Sequence, residues 1–347
     1  MAFQTARELQ PYFLKDVKQT GKKLGCGSFG CVEELIHAGA RCAGKVIHDA
    51  LVDSKEIGIQ SVIRKFEVEC RILSGLRHPC IVQFLGICIF QESRVPILVM
   101  ECLEASLESL LDQGKKISVP LKTSVLLDVA KGLVYLHSHS PPVIHRDLTA
   151  RNVLLTSTIQ AKIADLGNAR IIESHTLTRT LSTTPGTLVY MPPEAMAHPP
   201  QYDEKLDMFS FGHLALYVAL QEFPCELLAG VYTDPTNPNK ACARNEVERR
   251  SRYIGSLNTS FGSRHIITRT VVICLHNHPQ TRPPAVQVLS DLQKLQVEQK
   301  ASLQKFQLDD YISQWEDERF SDSSKMQNLL ERTRVSYWGQ SVGYGKL

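Results

Sequence analysis

The stretch from Pro141 to Arg170, PPVIHRDLTARNVLLTSTIQAKIADLGNAR, constrains the fold more than any other part of the chain. Two short apolar runs, Val153 to Leu155 and Ala161 to Ala164, flank a polar turn, which predicts strand, loop and strand. Asp147 and Asn152 lie in the polar loop before the first run, and Asp165 follows the second. Pairing the two runs brings Asn152 and Asp165 together as hard oxygen ligands for a divalent cation. Asp147 then stays near enough to accept a hydroxyl proton. The chemistry this pattern points to is phosphoryl transfer.

A chain of 347 residues with 43% hydrophobic composition has material for a substantial core and more than one lobe. Its 39 Lys and Arg against 36 Asp and Glu leave a net charge of +3, too near neutrality to make nucleic acid an expected partner. The 10 cysteines show neither CxxC pairs nor a repeated spacing, so the expectation is reduced thiols rather than a disulfide frame or zinc site, and a cytoplasmic location. No stretch approaches the roughly 18 apolar residues of a membrane span, and the N-terminus carries no basic-then-apolar leader.

Upstream, GKKLGCGSFGCVEELI sets Gly25, Gly27 and Gly30 between two apolar segments. Glycines at this spacing let backbone N–H groups approach phosphate oxygens. A dinucleotide-binding turn uses the same letters, but here Val32 and a strand-like continuation stand where that fold requires a helix. The following strand, RCAGKVI, carries Lys45. Residues 60 to 76 place Val62, Ile63, Phe66, Cys70, Leu73 and Leu76 close to helical spacing, which predicts an amphipathic helix bearing Glu67 and Glu69. A strand is expected from Val95 to Glu101, and helices over SLESLLD and from Thr123 to Leu136.

The string HRDLTARN resembles the catalytic loop of the eukaryotic protein kinase family, and DLG resembles its metal-binding turn, usually Asp-Phe-Gly. The resemblance extends in order over roughly residues 18 to 296. It implies an α+β bilobal fold: a small, mainly antiparallel β N-lobe with one regulatory helix over about 18–101, and a larger, mainly α C-lobe over about 104–296. Residues 1–17 would be an N-terminal extension and 297–347 a helical or flexible tail able to hold a partner through a short coiled coil. The same resemblance implies ATP and Mg²⁺ as cofactors, protein substrates and an upstream activating kinase.

Roles follow position by position. By resemblance the glycine loop with Leu24, Gly25, Gly27 and Gly30 covers the phosphates, Lys45 contacts them, and Glu69 rather than Glu67 pairs with Lys45. Val32, Ala43 and Leu154 would wall the adenine, Met100 would stand behind it, and the backbones of Glu101 and Leu103 would bond it. Asp147 is the implied base, Asn152 and Asp165 the metal ligands, and Arg151 a further catalytic-loop residue. Glu194, closing a Pro192-Pro193-Glu194 turn, would pair with Arg282, and Asp207 would hold the catalytic-loop backbone. Gly44, where the family carries an apolar residue, is expected to loosen its strand.

Acceptor specificity draws conflicting cues. Thr149 and Arg151 in HRDLTARN resemble tyrosine kinases, whereas PGTLVYMPPE with Thr187 resembles Ser/Thr and tyrosine-kinase-like kinases. The second segment would form the wall beside the acceptor, so the expectation favours Ser/Thr over tyrosine or dual specificity. The hydroxyl-rich run Thr176 to Thr184 reads as an activation segment whose phosphate could pair with Arg146. A nucleotide-binding pseudokinase scaffold and a small-molecule kinase of the same fold are the readings of other classes.

Overall fold

The computed structural model describes residues 12–26, 30–47, 58–90, 96–171, 190–195, 203–222 and 252–302. Gly27, Val95, the run Thr176 to Thr184 and Thr187 therefore lie outside the described residues, as does the tail beyond residue 302. Residues up to Glu298 form one compact unit.

The first part of that unit is a five-stranded sheet. Strands β1 (Lys18–Cys26), β2 (Gly30–His37), β3 (Ala40–Ile47), β4 (Phe84–Cys88) and β5 (Ile97–Glu101) lie in the order β1-β2-β3-β5-β4. The pairings between these five strands are all antiparallel. Leu35, Cys42, Cys88, Ile97 and Val99 make a buried cluster on one face, with Leu14, Val17, Val46 and Phe90 packed against it. Helix α1 (Gly58–Gly75) is the one helix described in this part, and it buries Phe66, Cys70, Ile72 and Leu73.

The expected loosening at Gly44 is not what the structure shows. Gly44 keeps regular register with Glu33 and Val99 on either side. A Cβ there would lie 2.4 Å from Leu35 Cδ1, so the Leu35 side chain fills the space that a larger residue at 44 would take. The volume has moved to the neighbouring strand, and the sheet stays closed.

The second part is mainly helical. It runs through β6 (Ala105–Ser106), α2 (Leu107–Leu111), α3 (Val119–His137), β7 (Val143–Ile144), β8 (Val153–Leu155), β9 (Ala161–Ile163) and β10 (Arg170–Ile171). Helices α4 (Lys205–Leu220), α5 (252–261), α6 (Ile266–Cys274) and α7 (Ala285–Ser302) follow. Ser118 caps α3 by accepting from Leu121 N, and the helix then buries Leu121, Val125, Leu126, Val129, Leu133 and Leu136. Helix α4 is apolar on all sides, and its residues from Leu206 to Ala219 are buried, as a helix without a polar face must be.

Short strands connect the two parts. Val82 N donates to Ile163 O at 2.9 Å and Ile163 N to Cys80 O at 2.9 Å, so the segment after α1 is bonded to β9. These bonds place the edge of the sheet beside the strand that leads into Asp165.

The thiol expectation needs one correction. Cys26 and Cys31 are direct partners across the β1–β2 hairpin, with Cα atoms 4.1 Å apart, and form a disulfide. Five-residue separation hides this pairing in a search for CxxC, whereas hairpin register brings the two Cβ atoms face to face. Cys42, Cys70, Cys80, Cys88, Cys102 and Cys274 are free thiols, and Cys225 and Cys242 lie outside the described residues. Among the described residues no helix is long and apolar enough to cross a membrane.

Candidate active site

Strands β8 and β9 pair Val153 with Ile163, and Ala164 N donates to Asn152 O at 2.8 Å. The hairpin read from the apolar runs is therefore formed, with Asn152 opposite the residue before Asp165. Thr149 caps the 3-10 turn Ala150–Asn152 by accepting from Asn152 N. The Asn152 amide donates to the Asp147 carbonyl at 2.8 Å, which turns its oxygen away from the backbone.

Two turns adopt left-handed backbone at non-glycine residues, Arg146 with φ 68° and Asp165 with φ 58°. Such conformations cost of order 1–3 kcal/mol and persist where surrounding contacts impose them. Here Asp207 supplies the contacts at Arg146. Fully buried, it accepts from Arg146 N at 2.8 Å, His145 N at 2.9 Å and His137 Nε2 at 2.8 Å. Burial pushes the Asp207 carboxyl up, but the donors of His137 and Arg146 outweigh it and hold the group below the usual range. His145, also buried, accepts from Asp147 N and reaches Ala164 O at 2.9 Å.

Lys45 is the electrostatic centre. Its Nζ lies 2.8 and 3.0 Å from the Glu69 carboxylate oxygens and 2.8 Å from Asp165 Oδ1. Strand β3, helix α1 and the turn after β9 each contribute one charge. Burial works against the ammonium, yet the carboxylates of Asp165 and Glu69 hold it firmly protonated. For Asp165 burial is likewise outweighed, by Lys45, and the carboxyl stays depressed; for Glu69 burial prevails and the carboxyl is raised. The Asp165 side chain is 42% exposed against 8% for Glu69, so Asp165 faces the open side.

The donors near Asp165 fit a hard divalent cation. Asp165 Oδ1 accepts from Lys45 and Gly167 N, while Oδ2 enters none of the described hydrogen bonds, and the amide oxygen of Asn152 faces away from its own backbone contact. Two such oxygen donors are of the kind that Mg²⁺ takes from a protein. No cluster of three or more His, Cys, Asp or Glu that could hold a metal occurs among the described residues.

Around the sheet edge, Leu24, Val32, Met100, Leu103 and Leu154 are half-buried, and Ala43 is buried. Ala43 pairs with Met100 in register. Glu101 N donates to Gln83 O at 3.0 Å, so a base could use the Glu101 carbonyl but not its N–H. Leu103 N–H enters none of the described backbone hydrogen bonds. Gly30 has no room for a side chain, since a Cβ would fall 2.0 Å from Val46 O; Gly25 has open space around it.

Several residues near the site gave no signal in the sequence. Lys162 on β9 grips both oxygens of the Glu101 carboxylate at 2.7 and 2.8 Å, and Gln83 N donates to the same group. Asn168 donates to Asp147 Oδ2 at 3.1 Å. Arg151 Nε meets Glu108 on α2 at 3.2 Å. Alternation could have suggested that Lys162 leaves the core face of its strand, but nothing local names a partner 61 residues away.

Glu194 and Arg282 meet as expected, through a paired set of hydrogen bonds from both terminal nitrogens of the guanidinium. The protein kinase domain model matches residues 18–292. Curated relatives include a serine/threonine-protein kinase TNNI3K from Mus musculus, 36% identical over 189 residues, which are 54% of this chain and 22% of that protein. The Arabidopsis thaliana serine/threonine-protein kinase VIK is 36% identical over 207 residues, covering 58% of this chain and 45% of that protein. The MDIS1-interacting receptor like kinase 2 from the same plant is 29% identical over 282 residues, 78% of this chain and 26% of that protein. The chain thus spans less than half the length of each of these relatives. With its antiparallel N-lobe, its helical C-lobe and a domain match over most of its length, the chain belongs to the eukaryotic protein kinase family.

Proposed function

We propose that this chain transfers the γ-phosphoryl group of ATP to serine or threonine hydroxyls of proteins. The observation that carries the reading is the convergence on Lys45 of Glu69 and Asp165, with the loop of Asp147 and Asn152 beside them. In this reading Lys45 binds and orients the nucleotide phosphates, and Glu69 keeps its ammonium aimed at them. Mg²⁺, held by Asn152 and Asp165, would neutralise the charge that builds on the phosphate oxygens. Asp147 orients the incoming hydroxyl and takes its proton. Positioning and charge stabilisation supply the acceleration.

Leu24, Val32, Ala43 and Leu154 would sandwich the base, with Met100 behind it. The Glu101 carbonyl and Leu103 N–H would read its edge, while the bond from Lys162 keeps the Glu101 carboxylate out of that path. The glycine loop would bring Gly25, Gly27 and Gly30 to the phosphates. Arg151, held by Glu108, acts on the shape of the catalytic loop rather than on the phosphates. The preference for Ser/Thr draws support from the similarity to serine/threonine-protein kinases and from the PGTLVYMPPE segment.

The test is transfer from Mg-ATP to a mixed peptide library, read by phosphoamino-acid analysis with Asp147→Asn in parallel. Phosphoserine or phosphothreonine that is lost in the variant is the expected result. Phosphotyrosine would replace the specificity assignment. Nucleotide binding without transfer under any condition would move the chain to the scaffold class.

A further inference from the structure

Two kinds of contact hold Asp147. Its main chain is fixed by Asp147 N donating to His145 Nδ1 at 3.2 Å and by its carbonyl accepting from Asn152 Nδ2 at 2.8 Å. These bonds set where the residue sits but leave rotation about its side-chain bonds undetermined. The carboxylate itself is held by Asn168, whose Nδ2 donates to Oδ2 at 3.1 Å.

Asn168 is well placed to do this because its turn is hydrogen-bonded at both ends. It ends the 3-10 turn Leu166–Asn168, which opens with the Asp165 side chain accepting from Gly167 N and closes with Ala169 N donating to Leu166 O at 2.9 Å. Leu166 within the turn is fully buried. The Asn168 carbonyl also accepts from Arg146 at 3.4 Å, next to Asp147 in the chain. The turn that presents Asp165 to the metal position therefore also aims the carboxylate that would take the proton. An amide N–H bonded to a carboxylate is charge-assisted and directional, so it constrains the orientation of the group it meets.

We infer that Asn168 is a positioning residue for the transfer reaction, fixing the rotamer of Asp147 and coupling it to the metal-binding turn. The inference rests on the kinase reading above. It assigns a role to the residue after the DLG motif that depends on its amide donor, not on its volume.

The test is a double-mutant cycle on the full chain with Mg-ATP and peptide acceptor. Asn168→Ala should lower kcat about 10-fold while the KM for ATP and the affinity for a fluorescent ATP analogue change less than about 2-fold. Asn168→Asp keeps the shape, removes the donor and sets a second carboxylate against Asp147, so it should cost more, about 100-fold. In an Asp147→Asn background, Asn168→Ala should change the residual single-turnover rate less than about 2-fold, because the group it acts through is gone.

Multiplicative losses in the cycle, or a parallel loss of nucleotide affinity, would overturn the inference by making Asn168 a general structural support. A faster Asn168→Ala enzyme would overturn it as well, by showing that the amide blocks the carboxylate. Failure of the underlying reading looks different: Asp147→Asn itself would then leave transfer unchanged, or wild type would show none.

Discussion

Two ionic centres in this protein use similar charges for different ends. At the first, Lys45 holds Glu69 and Asp165 at the sheet edge; at the second, Arg282 holds Glu194 under helix α4. Arg282 has no exposed side-chain surface and spends all five of its N–H donors. Nε donates to His276 O, one terminal nitrogen to Glu194 and Lys205 O, and the other to Glu194 and Asn277 O. Its guanidinium also lies 4.7 Å from the Phe209 ring centre. Such a centre is finished, and nothing further can bind without breaking it. Lys45 is a point charge 21% exposed, with one partner 42% exposed. That side of the pair is open to an incoming anion. The contrast separates a bolt from a binding group on burial, since Lys45 too has a partner for each of its three donors.

The sharpest way to break the comparison is at the reacting groups. Asp147→Asn should lower kcat about 1,000-fold with nucleotide affinity kept, measured by single-turnover transfer and analogue binding. Lys45→Met should lower kcat/KM about 100-fold or more while the thermal midpoint shifts by only a few degrees, since the lost group is a binding charge. Equal damage to stability and activity would erase the distinction between the two centres.

Arg282→Ala should do the reverse. Removing a buried partner strands Glu194 and several carbonyls, at a cost of about 3–5 kcal/mol in urea unfolding, with the surviving folded fraction still binding nucleotide.

A smaller effect concerns acid. Because the folded pKa of Asp207 lies below its unfolded value, its contribution is present above that unfolded value, about pH 4, and is lost as pH falls through the folded pKa. The stability gap between wild type and Asp207→Asn should therefore narrow below about pH 4 in denaturant melts. Least of all, reducing the Cys26–Cys31 bond should lower stability by about 2 kcal/mol, since the closed loop is short.

How much of this was legible beforehand depended on distance along the chain. The β8–β9 hairpin and the amphipathic α1 with Glu69 were readable, because periodicity and turn chemistry act within a few residues. Family resemblance added Lys45 with Glu69, and Glu194 with Arg282, which no local pattern joins. The Cys26–Cys31 bond was missed because hairpin register, not spacing, aligned the pair. Gly44 was misread because its strand was judged alone, whereas the volume it lacks is supplied by Leu35 on the next strand.

Local residue order, then, specified the elements and the chemical groups they carry, since helix and strand periods are short-range properties of the backbone. Tertiary structure alone decided which groups meet. Lys162 grips Glu101, Arg151 meets Glu108, and Asn168 reaches Asp147, because packing of the sheet, α2 and the turn after β9 brings distant donors within about 3 Å of their acceptors. A polar group buried without a partner is costly, so packing and pairing have to balance. That balance exists only once the chain has closed on itself.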